Sequence, residues 1–187
     1  MTAVLRPAVA EPVPASADEQ AAEVVWQPTT ALGRAVLLTG LLLIAAVLLG
    51  RVDLVALAAP FALGTAFALR RRPTSAPQVE IRVDDGYLVE GGDVTAAIGV
   101  SNADGVHYDL ALVRFLTPRW LRIEHGNRAF AVAVPPGMVT DVELRGVALR
   151  WGRHPLGPAA VRALACDGLF ASQPAGGDAQ LVGVYPS

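Results

Sequence analysis

Lysine is missing from this 187-residue sequence: all fifteen basic residues are arginine, set against seventeen acidic ones. The bias, together with abundant alanine, reads as high-GC coding rather than function. A net charge of −2 gives no electrostatic reason to expect nucleic acid as a partner. Cysteine is nearly missing too. A lone Cys166 excludes an intramolecular disulfide, and with it an oxidised secreted scaffold. Set in an alternating apolar stretch, Cys166 reads as a small buried hydrophobe rather than a nucleophile. His107, His125 and His154 are far apart and lack metal-ligand spacing. The chain has no Gly-x-Ser-x-Gly, no phosphate-cradling glycine loop and no His-Glu-x-x-His. Asn102, Asp104, Gly105 and Asp109 are oxygen donors at loop spacing, but without a bidentate Glu they read as a turn between strands, not a calcium site. The expectation is no enzyme, no cofactor and no metal.

Charge is also absent from two long runs, Ala35 to Gly50 and Leu54 to Leu69, separated only by Arg51, Val52 and Asp53. The first holds ten Leu, Ile or Val residues. At about 0.3 to 0.6 kcal/mol each in favour of the bilayer, they sum to several kcal/mol, and Arg34 opposes them only from the helix end, where it can snorkel. The second run is weaker, with Pro60 in its middle. Ala58, Ala62 and Ala66, like Gly64 and Ala68, recur at every fourth position and would let a neighbouring helix approach closely. The reading is a transmembrane helical hairpin over 31–72. Arg70, Arg71 and Arg72, with Arg34, outweigh Arg51 in the turn and place both ends on the cytoplasmic side of the membrane. A buried core hairpin fits the arginine cluster less well. A cleaved secretory signal conflicts with Glu11, Asp18, Glu19 and Glu23 ahead of the apolar stretch.

Around the hairpin, residues 1–30 carry scattered prolines and no sustained period, so a disordered tail is expected there, with Trp26 in the headgroup layer and Pro28 with Thr29 or Thr30 starting the helix. Residues 73–77 form a proline-bracketed linker. From 78 to 187 the period changes to two: Val79, Ile81 and Val83 alternate with Glu80, Arg82 and Asp84. After a turn at Asp84, Asp85 and Gly86, further strands are expected at 87–89, 94–100, 106–115, 120–124, 129–134, 139–149, 160–166 and 180–185, each bounded by Pro, Gly, Asn or Asp. Short strands with frequent turns and no helix after Leu69 point to an immunoglobulin-like antiparallel β-sandwich, making the chain mainly β with an α-helical transmembrane hairpin. Ile81, Ile98, Val100, Leu112, Leu144 and Val161 are the expected core.

An apolar hairpin, an arginine cluster, "LVEGGDVTAAIGVSN", "RWGRHPLGPAAVRALACDGLF" and a final "VYP" follow one another in an order that resembles the amino-terminal half of the bacterial membrane proteins called domain of unknown function 58. The resemblance spans about Trp26 to Pro186 and is sharpest from Arg150 to Phe170. Family members commonly carry Asp-Pro-Phe before Gly-Leu-Phe, where this chain has Ala165, Cys166 and Asp167. The family's defining portion, similar to a von Willebrand factor A domain with a metal-binding Asp-x-Ser-x-Ser loop, follows "VYP", so no residue here takes over that chemistry.

The resemblance implies a non-enzymatic scaffold that docks a MoxR-type AAA ATPase or a von Willebrand factor A-like protein from the cytoplasmic face of the lipid bilayer. Two other expectations are a truncated piece of a longer family member without independent activity, and an extracytoplasmic envelope-binding module. By their chemistry Trp151 and Arg153 form a cation–π pair or a partner-binding spot, Gly152, Gly157, Pro158 and Gly168 set turns, and Leu169 with Phe170 plugs one end of the sandwich.

Overall fold

The computed structural model describes residues 3–7, 26–83, 87–124 and 128–187. The turn expected at Asp84, Asp85 and Gly86, the histidine at 125 and most of the expected tail (8–25) lie outside them. In chain order the elements are β1 (Ala3–Pro7), β2 (Gln27–Pro28), α1 (Thr30–Leu49), α2 (Asp53–Arg70), β3 (Gln78–Val83), β4 (Leu88–Val89), β5 (Asp93–Ser101) and β6 (Tyr108–Phe115). They continue with β7 (Leu121–Ile123), β8 (Phe130–Val134), β9 (Met138–Ala148), β10 (Gly152–Leu156), β11 (Ala159–Ala165), β12 (Phe170–Ala171), β13 (Ala175–Gly177) and β14 (Gln180–Tyr185).

The two helices are long and apolar enough to cross a membrane. At 1.5 Å per residue the 20 residues of α1 span about 30 Å, the thickness of a bilayer's hydrocarbon. Gly50 ends α1 in the left-handed conformation, and the Arg51 guanidinium closes on the Asp53 carboxylate at 2.6 Å, pairing the charges of the connecting turn. The helices meet through small side chains. Ala46 on α1 and Ala58 and Ala68 on α2 are buried, whereas Ala66 and Gly64 face outward. The regular four-residue spacing read from the sequence therefore holds for Ala58 and the half-buried Ala62 and then steps to Thr65 and Ala68, as a 3.6-residue helix requires of a continuous contact stripe.

The rest of the described chain is an immunoglobulin-like antiparallel β-sandwich. One sheet runs β1-β9-β5-β3 with β7 also on β9; the other runs β2-β12-β11-β6-β8 with β13 also on β11; a small third sheet runs β10-β14-β4. The β14–β4 pairing is parallel, and the remaining pairings are antiparallel. Ile98, Val100 and Val142 from the first sheet and Val113, Val134 and Val161 from the second form the centre, each at most 1% exposed. Leu112 is not among them. A register shift between Tyr108 and Ala111 inverts the alternation of β6, turning Ala111, Val113 and Phe115 inward and leaving Leu112 39% exposed.

Five short strands have no clear trace in the sequence pattern, among them the two-residue β12, which pairs with the end of β11. β10 contains Gly152 and Pro155, and β13 is Ala-Gly-Gly, whose Gly177 lies so close to β3 that a Cβ would stand 2.6 Å from the Val79 carbonyl oxygen. β1 and β2 fall in the segment expected to be an unstructured tail: Ala3–Pro7 pairs with β9, and Gln27–Pro28 with β12. Trp26 is likewise a core residue of the sandwich, 1% exposed, rather than a headgroup-layer residue.

Candidate functional site at the junction of hairpin and sandwich

Asn102, fully buried after β5, starts the junction: its side-chain amide donates to the Val106 and Val134 carbonyls at 2.8 and 3.0 Å, and its Oδ1 accepts the Asp104 N–H at 2.9 Å. That turn aims the Asp104 carboxylate at the linker. It accepts the N–H groups of Thr74 (3.1 Å) and Ser75 (3.0 Å), the Thr74 hydroxyl (3.0 Å) and the Tyr108 hydroxyl (3.1 Å). A carboxylate offers about four lone-pair sites, so this one is filled. Burial, and then the Asp104 charge, holds the Tyr108 phenol well above its ordinary range. The Trp26 indole N–H donates to the Ser75 carbonyl at 2.9 Å, with its ring 5.4 Å from that of Tyr108. Asp109, the other carboxylate of the loop, faces His107 at 3.6 Å and accepts the Gly168 N–H at 3.3 Å. The two carboxylates thus serve different neighbours. Among the described residues, no three His, Cys, Asp or Glu side chains converge as a metal site would require.

The second attachment is the turn between β11 and β12, where Cys166, Asp167 and Gly168 all adopt positive φ (57°, 57° and 74°). Both ends of the hairpin reach it. Thr29, which precedes α1, donates its N–H to the Leu169 carbonyl at 2.9 Å and its hydroxyl to the Gly168 carbonyl at 2.8 Å, so the side chain of this N-cap threonine binds the sandwich while its carbonyl accepts the Gly33 N–H of its own helix at 3.4 Å. At the end of α2 the Cys166 thiol lies 3.6 Å from the Arg71 carbonyl and 3.9 Å from that of Ala68, an acceptor the helix leaves unpaired. Burial, helped by Asp109 and Asp167 and opposed by Arg71, raises the thiol above its usual range and keeps it protonated, which disfavours nucleophilic chemistry. Phe170 is buried, 2% exposed, at this end of the sandwich, and Leu169 beside it is half-buried.

Of the four arginines assigned to topology, Arg34 and Arg70 are exposed, Arg71 covers the Phe67 ring at 4.4 Å, and Arg72 turns back into the junction. Its guanidinium donates to the Trp26 carbonyl at 2.8 Å and lies 5.9 Å from the centre of the Phe170 ring.

The remaining motif residues stand elsewhere. Gly157 (φ 114°) and Pro158 occupy the turn before β11, at the opposite end of that strand from Cys166, the strand itself being about 20 Å long at some 3.3 Å per residue. Trp151 and Arg153 are exposed but make no cation–π pair; Gly152 between them has φ 127°, which breaks the alternation that would set them side by side. The aromatic stack here is Trp120 on His154 at 5.3 Å, and the Trp120 indole donates to the Pro155 carbonyl at 3.0 Å. Trp151 is exposed just ahead of β10, and exposed Tyr185 at the end of β14 has its ring 5.8 Å from that of Tyr87. Leu181, 68% exposed, is on the same outward-facing side of β14. Sequence reasoning did not find this aromatic face, although Leu181 and Tyr185 share the outward phase of the β14 alternation.

No family model matches the chain, and no curated protein matches it. Among solved structures it is similar to a variant of BcpA, the major pilin subunit of Bacillus cereus, with 11% identity and a TM-score of 0.38 over 60% of this chain and 41% of the pilin.

Proposed function

We propose that this protein is a membrane-anchored, non-enzymatic scaffold that holds its β-sandwich in a fixed attitude on the cytoplasmic face of a bacterial inner membrane and docks another protein there. The observation that carries the reading is the double attachment: the Leu169 carbonyl takes the Thr29 N–H at the start of the hairpin, and Asp104 takes the Thr74 and Ser75 N–H groups after its end. A tether that only had to keep a domain near a membrane would need none of these bonds. The orientation follows from Arg34, Arg70 and Arg71 standing at the sandwich end of the hairpin, while Arg51 in the distal turn is paired with Asp53. The resemblance to the domain of unknown function 58 proteins supplies the implied partners, a MoxR-type AAA ATPase or a von Willebrand factor A-like protein.

A single-cysteine variant, Arg51→Cys with Cys166→Ala, tests the topology with a membrane-impermeant maleimide added to intact spheroplasts. Labelling from outside is expected at position 51, with protease leaving the sandwich intact until the membrane is opened. Digestion of the sandwich in intact spheroplasts would overturn the orientation in favour of an extracytoplasmic module. Docking is tested on the candidate ATPase and von Willebrand-like proteins directly: Trp151→Ala with Tyr185→Ala is expected to weaken capture at least tenfold, and equal capture by both forms would remove the aromatic face as the docking place.

A further inference from the structure

The outer edge of β9 is closed by two separate pieces of chain. Leu121–Ile123 of β7 covers Gly146 to Ala148, and Ala3–Pro7 of β1 covers Met138 to Val142 in a five-residue antiparallel ladder, Ala3 opposite Val142 through Pro7 opposite Met138. Among the described residues β1 is the terminal strand of its sheet and pairs with β9 alone, and it ends in a proline, which has no N–H to give. Eighteen residues, 8–25, separate it from Trp26, whose indole N–H bonds the Ser75 carbonyl at the junction. Fully extended, that length reaches about 60 Å. When β1 leaves, Met138 to Val142 presents the unpaired row of main-chain groups that an extended segment fills.

We infer that the β9 edge from Met138 to Val142 is a strand-acceptor site and that its second occupant is Ala3–Pro7 of another copy of this chain, exchanged reciprocally to give a two-fold dimer. The same segment already satisfies this edge within one chain, so exchange replaces each ladder bond with an identical one and asks for no new complementarity. Anchoring supplies proximity: two copies held in one membrane with the same orientation keep their β9 edges at a common height, within the reach of the connecting residues. This part rests on the membrane reading above.

Cross-linking between differently marked copies is the test. In a Cys166→Ala background, one copy carries Arg6→Cys and the other Val139→Cys, positions directly opposed in the ladder. Cα atoms of opposed antiparallel residues stand about 4.5 to 5.5 Å apart, within disulfide range. Co-reconstituted in lipid vesicles and oxidised, the two copies are expected to form a covalent heterodimer, at least tenfold more than Arg6→Cys forms with Arg114→Cys on the other sheet. A single chain carrying both Arg6→Cys and Val139→Cys reports the intrachain ladder by loss of free thiol. An intrachain disulfide without a heterodimer above the Arg114 control overturns the exchange, and loss of both overturns the strand-acceptor edge itself. The pair Val4→Cys and Asp141→Cys repeats the experiment should Val139→Cys fail to fold. Alkaline carbonate extraction of the same vesicles reads the membrane anchor separately: chains that wash off defeat the anchoring while leaving the cross-linking result to stand or fall by itself.

Discussion

Valine sits in two regions of this molecule under opposite conditions. Val47 in α1 is 82% exposed, and Val134 in β8 is 0% exposed, although the same side chain has the same aversion to water in both places. The sandwich resolves that aversion internally, with Ile98, Val100, Val142 and Val161 around one core. The hairpin leaves it open: Leu48 is 79% exposed and Leu63 70%. A helix pair that turns its largest apolar groups outward and its alanines inward has the pattern that hydrocarbon would satisfy, in keeping with the membrane anchor proposed above. The junction is where the two regimes meet, and there the chain uses buried hydrogen bonds.

The contrast breaks most sharply at Trp26, which belongs to the sandwich core while leading into the hairpin. Trp26→Ala is expected to destabilise the sandwich by about 3 to 5 kcal/mol, read by denaturant unfolding in detergent micelles. A loss below about 1 kcal/mol would return Trp26 to the headgroup layer. Asp104→Ala strands the Thr74 and Ser75 N–H groups and is expected to cost about 2 to 3 kcal/mol and to loosen the linker, visible as faster amide exchange at those two residues. The paired valines sharpen the comparison: Val134→Ala should cost about 2 kcal/mol and Val47→Ala under about 0.5 kcal/mol, and equal costs would mean that the hairpin packs inside a globule.

Tyr108→Phe is the mildest, at about 1 kcal/mol for the lost hydrogen bond to Asp104. Its signature is in pH. Burial and Asp104 raise the Tyr108 phenol in the folded protein, so its neutral form is the one that folding favours. That contribution is complete below the ordinary value of 10.0 and is lost as pH climbs above it, so the unmodified protein should lose stability above pH 10 more steeply than Tyr108→Phe.

Strong periodicity made most of this fold legible. The hairpin announces itself by the absence of charge, and β5 and β9, the nine-residue ladder at the centre of one sheet, alternate cleanly. The failures have physical causes. Leu112 reads as core until the bulge between Tyr108 and Ala111 shifts its phase, and a bulge leaves no mark in composition. β10 and β13 carry Pro and Gly, which propensity assigns to turns, yet each adds to an existing strand where main-chain bonding suffices. The junction was half legible. The motif singles out Phe170, which is buried there, but Asp104, Tyr108 and Ser75 are brought together only by the sandwich, across 29 to 33 residues of chain. Trp26 was misplaced because an indole beside an apolar helix fits a membrane interface as well as a protein core.

Amide hydrogen exchange of the full chain in lipid nanodiscs separates a fixed sandwich from a tethered one. The helices from Thr30 to Arg70 and the amides of Thr29, Thr74 and Ser75 are expected to resist exchange together with the β5–β9 ladder. Exchange of Thr74 and Ser75 within seconds, while the ladder stays protected, would contradict the fixed attachment and leave the sandwich swinging on a loose tether.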